Sequence, residues 1–202
     1  TFDLGAGADY VSAAKILQNS EVSGGAGADT FVISTLSNAV LLGNDDVDSV
    51  NITGSLYGST IDFGAGDEVF SLTVDSTKSS IFGGAGNDTF VLGSLGVITE
   101  TTFDGGTGND SILVSRTLSN STIIGGAGED TITVVSAVSA AARINADAGS
   151  DLLVFSSSIS SSYVLGGAGA DTLSIAGGVY NSTIDLGADD DSFSFNSTLG
   201  TA

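Results

Sequence analysis

An acidic residue closes a glycine-rich block about every 20 residues along the whole chain, and this fixed period leaves few folds open. The closing residues are Asp9, Asp29, Asp48, Glu68, Asp88, Asp110, Asp130, Asp151, Asp171 and Asp191, with steps of 20, 19, 20, 20, 22, 20, 21, 20 and 20. The block reads Gly-Gly-Ala-Gly-x-Asp at Gly24, Gly25, Gly27 and Asp29, and again at Gly83, Gly84, Gly86 and Asp88. It recurs at Gly125, Gly126, Gly128 and Asp130, and at Gly166, Gly167, Gly169 and Asp171. At Gly105, Gly106, Gly108 and Asp110 the Ala place holds Thr107. Weaker copies run from Leu4 to Asp9, Gly43 to Asp48, Phe63 to Glu68, Ala146 to Asp151 and Leu186 to Asp191. Self-similarity of this kind marks stacked repeats.

The residues between blocks keep the same register. Two positions before each block stand Phe2, Val22, Leu41, Ile61, Ile81, Phe103, Ile123, Ile144, Val164 and Ile184, all apolar. Two positions after the acid stand Val11, Phe31, Val50, Phe70, Phe90, Ile112, Ile132, Leu153, Leu173 and Phe193; two further on come Ala13, Ile33, Ile52, Leu72, Leu92, Val114, Val134, Phe155, Ile175 and Phe195. A spacing of two is strand alternation, with these side chains on one face. A looser fourth column holds Leu17, Leu36, Leu56, Val97, Leu118, Ile159 and Val179. One coil is therefore a strand, a glycine corner, a second strand and a return bend. A single coil cannot bury its apolar face, whereas stacked coils pair as parallel strands ~4.8 Å apart. The expectation is an all-β, right-handed parallel β-solenoid of about ten ~20-residue coils, a single array over residues 1–202, forming a rod of roughly 48 Å. A β-sandwich with glycine turns demands no such fixed period. In the return bend, Asn19, Asn38, Asn120 and Asn181 share one position, and Ser20, Ser59, Ser79, Ser121, Ser162 and Ser182 the next. These residues suit bends because they hydrogen-bond nearby backbone, and stacked Asn side chains can bond along a rod.

Composition narrows the chemistry. The chain has 202 residues, 24 acidic against 4 basic, a net charge of −20, and 41% hydrophobic residues, enough to bury a core. Cys, His, Met, Trp and Pro are absent, which removes thiol nucleophiles, imidazole bases, zinc sites and disulfides. Nothing here neutralises phosphates, so nucleic acid is not an expected partner. No apolar run reaches the length of a membrane span, so insertion is not expected either. The first residues show no signal-peptide pattern, as in a slice of a longer array or a chain exported by a route that leaves no N-terminal mark.

The stacked fold places ten carboxylates in one row on one edge, neighbours about 5 Å apart. At an effective dielectric of about 20 each neighbouring pair repels by on the order of 3 kcal/mol. Two readings follow: a cation bound between coils, or a solvated acidic edge. The donors on offer are carboxylates and glycine-corner carbonyls, a hard-oxygen set that suits Ca2+ better than Mg2+.

The block resembles the repeats-in-toxin (RTX, haemolysin-type) calcium-binding nonapeptide, Gly-Gly-x-Gly-x-Asp-x-hydrophobic-x. Its nearest copies run from Gly83 to Val91, Gly105 to Leu113 and Gly125 to Thr133. The resemblance implies a parallel β-roll with Ca2+ held between adjacent corners by glycine-loop carbonyls and the aspartate. It implies bacterial export, often by type I secretion, with folding driven by extracellular calcium. By that resemblance the ligand positions are the block glycines and closing acids named above. The chain also departs from the pattern. Its coils have one glycine–aspartate corner, which suggests one row of ions. Glu68 replaces the aspartate, Leu4, Phe63 and Leu186 replace the first glycine, Asp147 replaces the second, and the Gly43 copy lacks the later glycine.

The repeat occupies the chain throughout, and its acids are equivalent by position, whereas catalysis needs two acids in different environments. An enzyme is not expected. The first functional expectation is a calcium-stiffened extracellular structural protein of a surface layer, fibril or filament. The alternatives are the stalk or ligand-binding region of an adhesin facing cell-surface polysaccharide, or a secretion and folding module of a larger toxin or hydrolase. Ice binding would want a threonine row at the corner, where Ala26, Ala65, Ala85, Ala127 and Ala168 stand instead. Ala202 falls four positions before where an eleventh block would begin, and Thr1 three before the first, so head-to-tail stacking would keep the period. Asn51, Asn87, Asn109, Asn120, Asn181 and Asn196 lie in Asn-x-Ser/Thr sequons, which turn chemistry explains equally well.

Overall fold

The computed structural model describes residues 1–197 and the backbone of residues 199–200; Ala202, and with it the register expected for an eleventh block, lies outside the described residues. The chain is a parallel β-solenoid of ten coils with no helix among the described residues, and none therefore long and apolar enough to cross a membrane. A middle coil shows the plan. One strand, Ser80–Ala85, enters the glycine corner; a second, Thr89–Leu92, leaves it; a short third, Ile98–Thr99, lies in the return segment. In the first two coils the second and third strands merge into Tyr10–Gln18 and Thr30–Ser37.

Entering strands stack into a ten-stranded sheet, and leaving and return strands into an eighteen-stranded one. Pairing is parallel and in the register set by the repeat. Ile81 lies between Ile61 and Phe103, and Phe90 between Phe70 and Ile112. The apolar columns form one continuous core, fully buried from Val22 to Ile175. Only the end coils leave their members open, with Phe2 and Phe193 half or more exposed. Phe63, Phe70, Phe90 and Phe103 meet ring to ring at centroid distances of 6.0–6.4 Å, so three adjacent coils share one aromatic cluster.

The fourth column needs one correction. Val97 is exposed, and Ile98 is the buried residue paired with Leu118 and Ser76. The step from Asp88 to Asp110 is 22 residues, and the surplus two lie between Leu92 and Ile98, so the column residue stands ten after its acid where Leu118 stands eight after Asp110. Val138 continues the column, and Ser76 fills it in the fourth coil, its buried hydroxyl 3.0 Å from that of Thr101.

The return bend confirms turn chemistry for the asparagines. Asn19, Asn38, Asn120 and Asn181 all adopt φ of 47–50°, the left-handed region that Asn tolerates best after Gly, and Gly58 takes the same place at 56°. No bond between stacked side chains of that column is formed among the described residues; inter-coil bonding passes to the serines beside them. Ser59 Oγ accepts the Ala39 amide (3.2 Å) of the preceding coil and donates to the Tyr57 carbonyl (2.9 Å) of its own. Ser79, Ser121 and Ser182 do the same.

Arg116 is buried inside the return segment. Its guanidinium donates to the carbonyls of Leu72 (2.6 Å), Val74 and Gly93, tying three coils together. Desolvation lowers its pKa, and the charge of Asp75 opposes that.

Replacing Ile98 by Ala should cost about 2–5 kcal/mol, as for other fully buried aliphatics, whereas Val97→Ala should stay within about 0.5 kcal/mol. Urea unfolding of both variants with calcium present checks the frame.

Candidate metal centre

The corner is built by backbone geometry that few residues accept. The second and fourth block positions have positive φ, as in Gly84 (111°) and Gly86 (138°). Where glycine is missing, the residues that tolerate such angles replace it: Asn44 (84°) and Asp46 (72°) in the third coil, Asp147 (75°) in the eighth and Asp189 (84°) in the tenth. The departures in the Gly43, Ala146 and Leu186 copies therefore keep the corner.

The first glycine has another reason. A Cβ on Gly24 would lie in hard contact with Asp29 Oδ2 and 3.0 Å from the Gly43 carbonyl of the next coil. The same pair of oxygens, the coil's own carboxylate and the next coil's first block carbonyl, borders Gly43, Gly83, Gly105, Gly125 and Gly166. Six corners thus share an oxygen-lined cradle that only glycine leaves open. At Leu4, Phe63, Ala146 and Leu186 a side chain grows from this position instead, and Phe63 is fully buried there.

The acids do not sit on a solvated edge. From Asp29 to Asp171 all eight are at most 2% exposed; Asp9 is partly buried, and Asp191, in the last coil, is exposed. One oxygen of each aspartate after Asp9 is used. Oδ1 accepts the backbone amide of the equivalent acid one coil earlier: Asp9 to Asp29 (2.7 Å), Asp29 to Asp48 (2.8 Å), Asp88 to Asp110 (2.7 Å), Asp110 to Asp130 (2.7 Å) and onward to Asp191 (2.9 Å). The Glu68 amide donates to Asp88 in the same way, but Glu68 accepts nothing from Asp48, so the ladder breaks once.

The other oxygen has no hydrogen-bond partner. Oδ2 of Asp9, Asp29, Asp48, Asp88, Asp110, Asp130, Asp151 and Asp171, and both carboxylate oxygens of Glu68, are buried and unsatisfied. A buried carboxylate oxygen in this state is costly unless a proton or a cation meets it. Desolvation accordingly raises the pKa to about 6 in Asp48, Asp110 and Asp151 and to about 7 in Asp130, and also raises Asp88 and Asp171. Glu68 is raised by desolvation first and then by the neighbouring Asp88 carboxylate.

These residues fit a calcium ion by donor chemistry: an unpartnered buried carboxylate oxygen, a glycine-bordered cradle and backbone carbonyls, with no nitrogen or sulfur donor. Among the described residues no three acidic side chains converge on one point, so most ligands at any corner would be backbone carbonyls. The sequence placed the acids in one row, and they are in one row. Their burial was legible too: Asp29 stands two residues before inward-facing Phe31, and Gly24 two after inward-facing Val22, which puts both on the inner side.

Fold and corner together define a parallel β-solenoid with a row of buried carboxylates at glycine turns. The family model described as the RTX calcium-binding nonapeptide repeat (4 copies) matches the chain over two stretches, residues 79–94 and 117–134. Those stretches hold the cradles of Gly83 with Asp88 and Gly125 with Asp130. Those two stretches thus match RTX calcium-binding repeats, a motif that implies Ca2+ binding and is typical of secreted bacterial proteins. No curated protein and no solved structure is significantly similar to it.

The raised carboxyl pKa values set the pH response without metal. The folded state binds protons more tightly than the unfolded chain, so this contribution is full below a pH of about 4 and is lost as pH rises through about 6 to 7. Thermal melts in chelator should therefore move to lower temperature on going from acid to neutral pH. Melts in saturating calcium should not, because the cation takes the place of the protons.

Proposed function

We propose that this chain is a calcium-stabilised structural repeat of a bacterial extracellular protein, such as a surface layer, fibril or filament, and that it has no catalytic role. The observation that carries the reading is the buried, unpartnered Oδ2 of the row aspartates from Asp9 to Asp171. The serine ladder of the return bend performs the same amide-accepting task without charge, so an aspartate is not needed for the hydrogen bond alone. Its second oxygen is what a cation would use.

Calcium would sit at the six corners whose first block residue is glycine, held by Asp29, Asp48, Asp88, Asp110, Asp130 and Asp171 with the neighbouring carbonyls. The ion neutralises the row and couples each coil to the next, so a rod exported unfolded would stiffen where calcium is plentiful. The buried acids from Asp29 to Asp171 share one environment apart from Glu68, which suits a repeated structural role rather than an acid–base pair. The end coils, with Phe2 and Leu4 lining an apolar hollow of about 200 Å³ at one end and Phe193 stacked on Phe195 (6.0 Å) at the other, would be buried by a further coil of the same kind, in one chain or between copies.

Calcium titration followed by circular dichroism and native mass spectrometry tests the proposal. The expected result is calcium-dependent β-structure with six bound ions, and five in Asp110→Asn, which keeps the Oδ1 hydrogen bond and removes the charge. A chain that folds equally well in chelator and retains no calcium would sink it.

A further inference from the structure

The eighteen-stranded sheet presents an outer surface unlike the rest of the molecule. In every coil from the second to the tenth, the strand leaving the corner and the residue after it carry no charge, in a chain with a net charge of −20. The outward side chains are hydroxyl-bearing or apolar, apart from the amides Asn51 and Asn196; among them are Val69, Val91, Thr131, Thr133, Leu152 and Thr172, with Val69, Val91 and Leu152 close to 40% exposed. The opposite sheet is built differently. Its outward positions set Asp62 and Asp104 on either side of exposed Phe82, with Ile124 beyond Asp104, and add Asp185, Glu21 and Arg143. Scattered charges of that kind keep sheets from associating face to face.

We propose that this uncharged stripe is the interface of a homodimer in which two rods pack sheet against sheet. The occupant follows from charge. Two copies meeting through their corners or their ten-stranded sheets bring carboxylates together, and a contact through the return segment would have to desolvate Lys15, Asp75, Lys78 and Glu100. Among the described residues the stripe is the surface on which two such anionic rods approach without that cost. The area is adequate. Five residues across and nine coils along, at ~3.3 Å per residue and ~4.8 Å per coil, give a footprint of roughly 700 Å², against about 800 Å² per partner in a standard interface. The contact is isologous, the same patch on both copies, so it closes as a pair. The coil repeat gives both faces one spacing, which lets their rows interleave at the separation of packed sheets, about 10 Å.

Sedimentation velocity of the calcium-loaded chain at tens of micromolar tests this, beside Val91→Lys/Thr133→Lys in the stripe and Ile124→Lys on the opposite sheet. All three substituted side chains face outward, and circular dichroism checks that each variant is folded. The expected result is a dimer for the unaltered chain and for Ile124→Lys, with association weakened at least tenfold in the double variant. A monomeric unaltered chain, whether or not it adsorbs to a neutral polysaccharide, overturns the proposal. So does a double variant that dimerises as tightly, or an Ile124→Lys variant that is equally impaired. Calcium loading, read separately by native mass spectrometry, keeps this outcome distinct from the fate of the metal sites.

Discussion

Each coil turns its corner by folding a carboxylate inward over a glycine, and the remainder of the rod is arranged around the consequences. One carboxylate oxygen caps the amide of the coil before, which fixes the stacking of successive corners. The other is buried and meets no protein donor. A neutral side chain could have supplied the cap, as the serines do at the far side of the coil. The fold therefore keeps a charge where a charge is expensive, and does so in eight successive coils. Such a device stabilises the folded chain only when something positive arrives, which makes the folded state conditional on its surroundings.

Much of this was legible in the sequence, because a solenoid repeats its physics with its residues. The two strands flanking the corner, their facing and their register could be read from columns spaced by two. The failures share one cause, the loss of period. Val97 was placed in the core because surplus residues in the fifth coil shift the frame, and Ile98 takes the position instead. Arg116 has no counterpart in other coils, so no column could show that it lies buried against carbonyls from two preceding coils. The inward turn of the acids was overlooked although the spacing contained it. A row of carboxylates suggests a wet edge, and parity with Phe31 and Phe90 points the other way.

The non-repeating residues gather in one place. The fourth coil has Phe63 where a glycine is usual and Glu68 where an aspartate is usual, and there the amide-to-carboxylate ladder breaks. Phe63 joins the aromatic cluster that runs through the fourth, fifth and sixth coils, and Arg116 spans those same three coils on the return side. In a solenoid, stability is close to a sum of terms between neighbouring coils. Here the sum has two kinds of term: corner contacts that a cation would strengthen, and a central block held by aromatic packing and a buried guanidinium that needs none. Coils on either side of that block rely on the corner more heavily. The middle is thus the part best able to hold its structure before ions bind, and a place from which ordering can spread outward as the cradles fill.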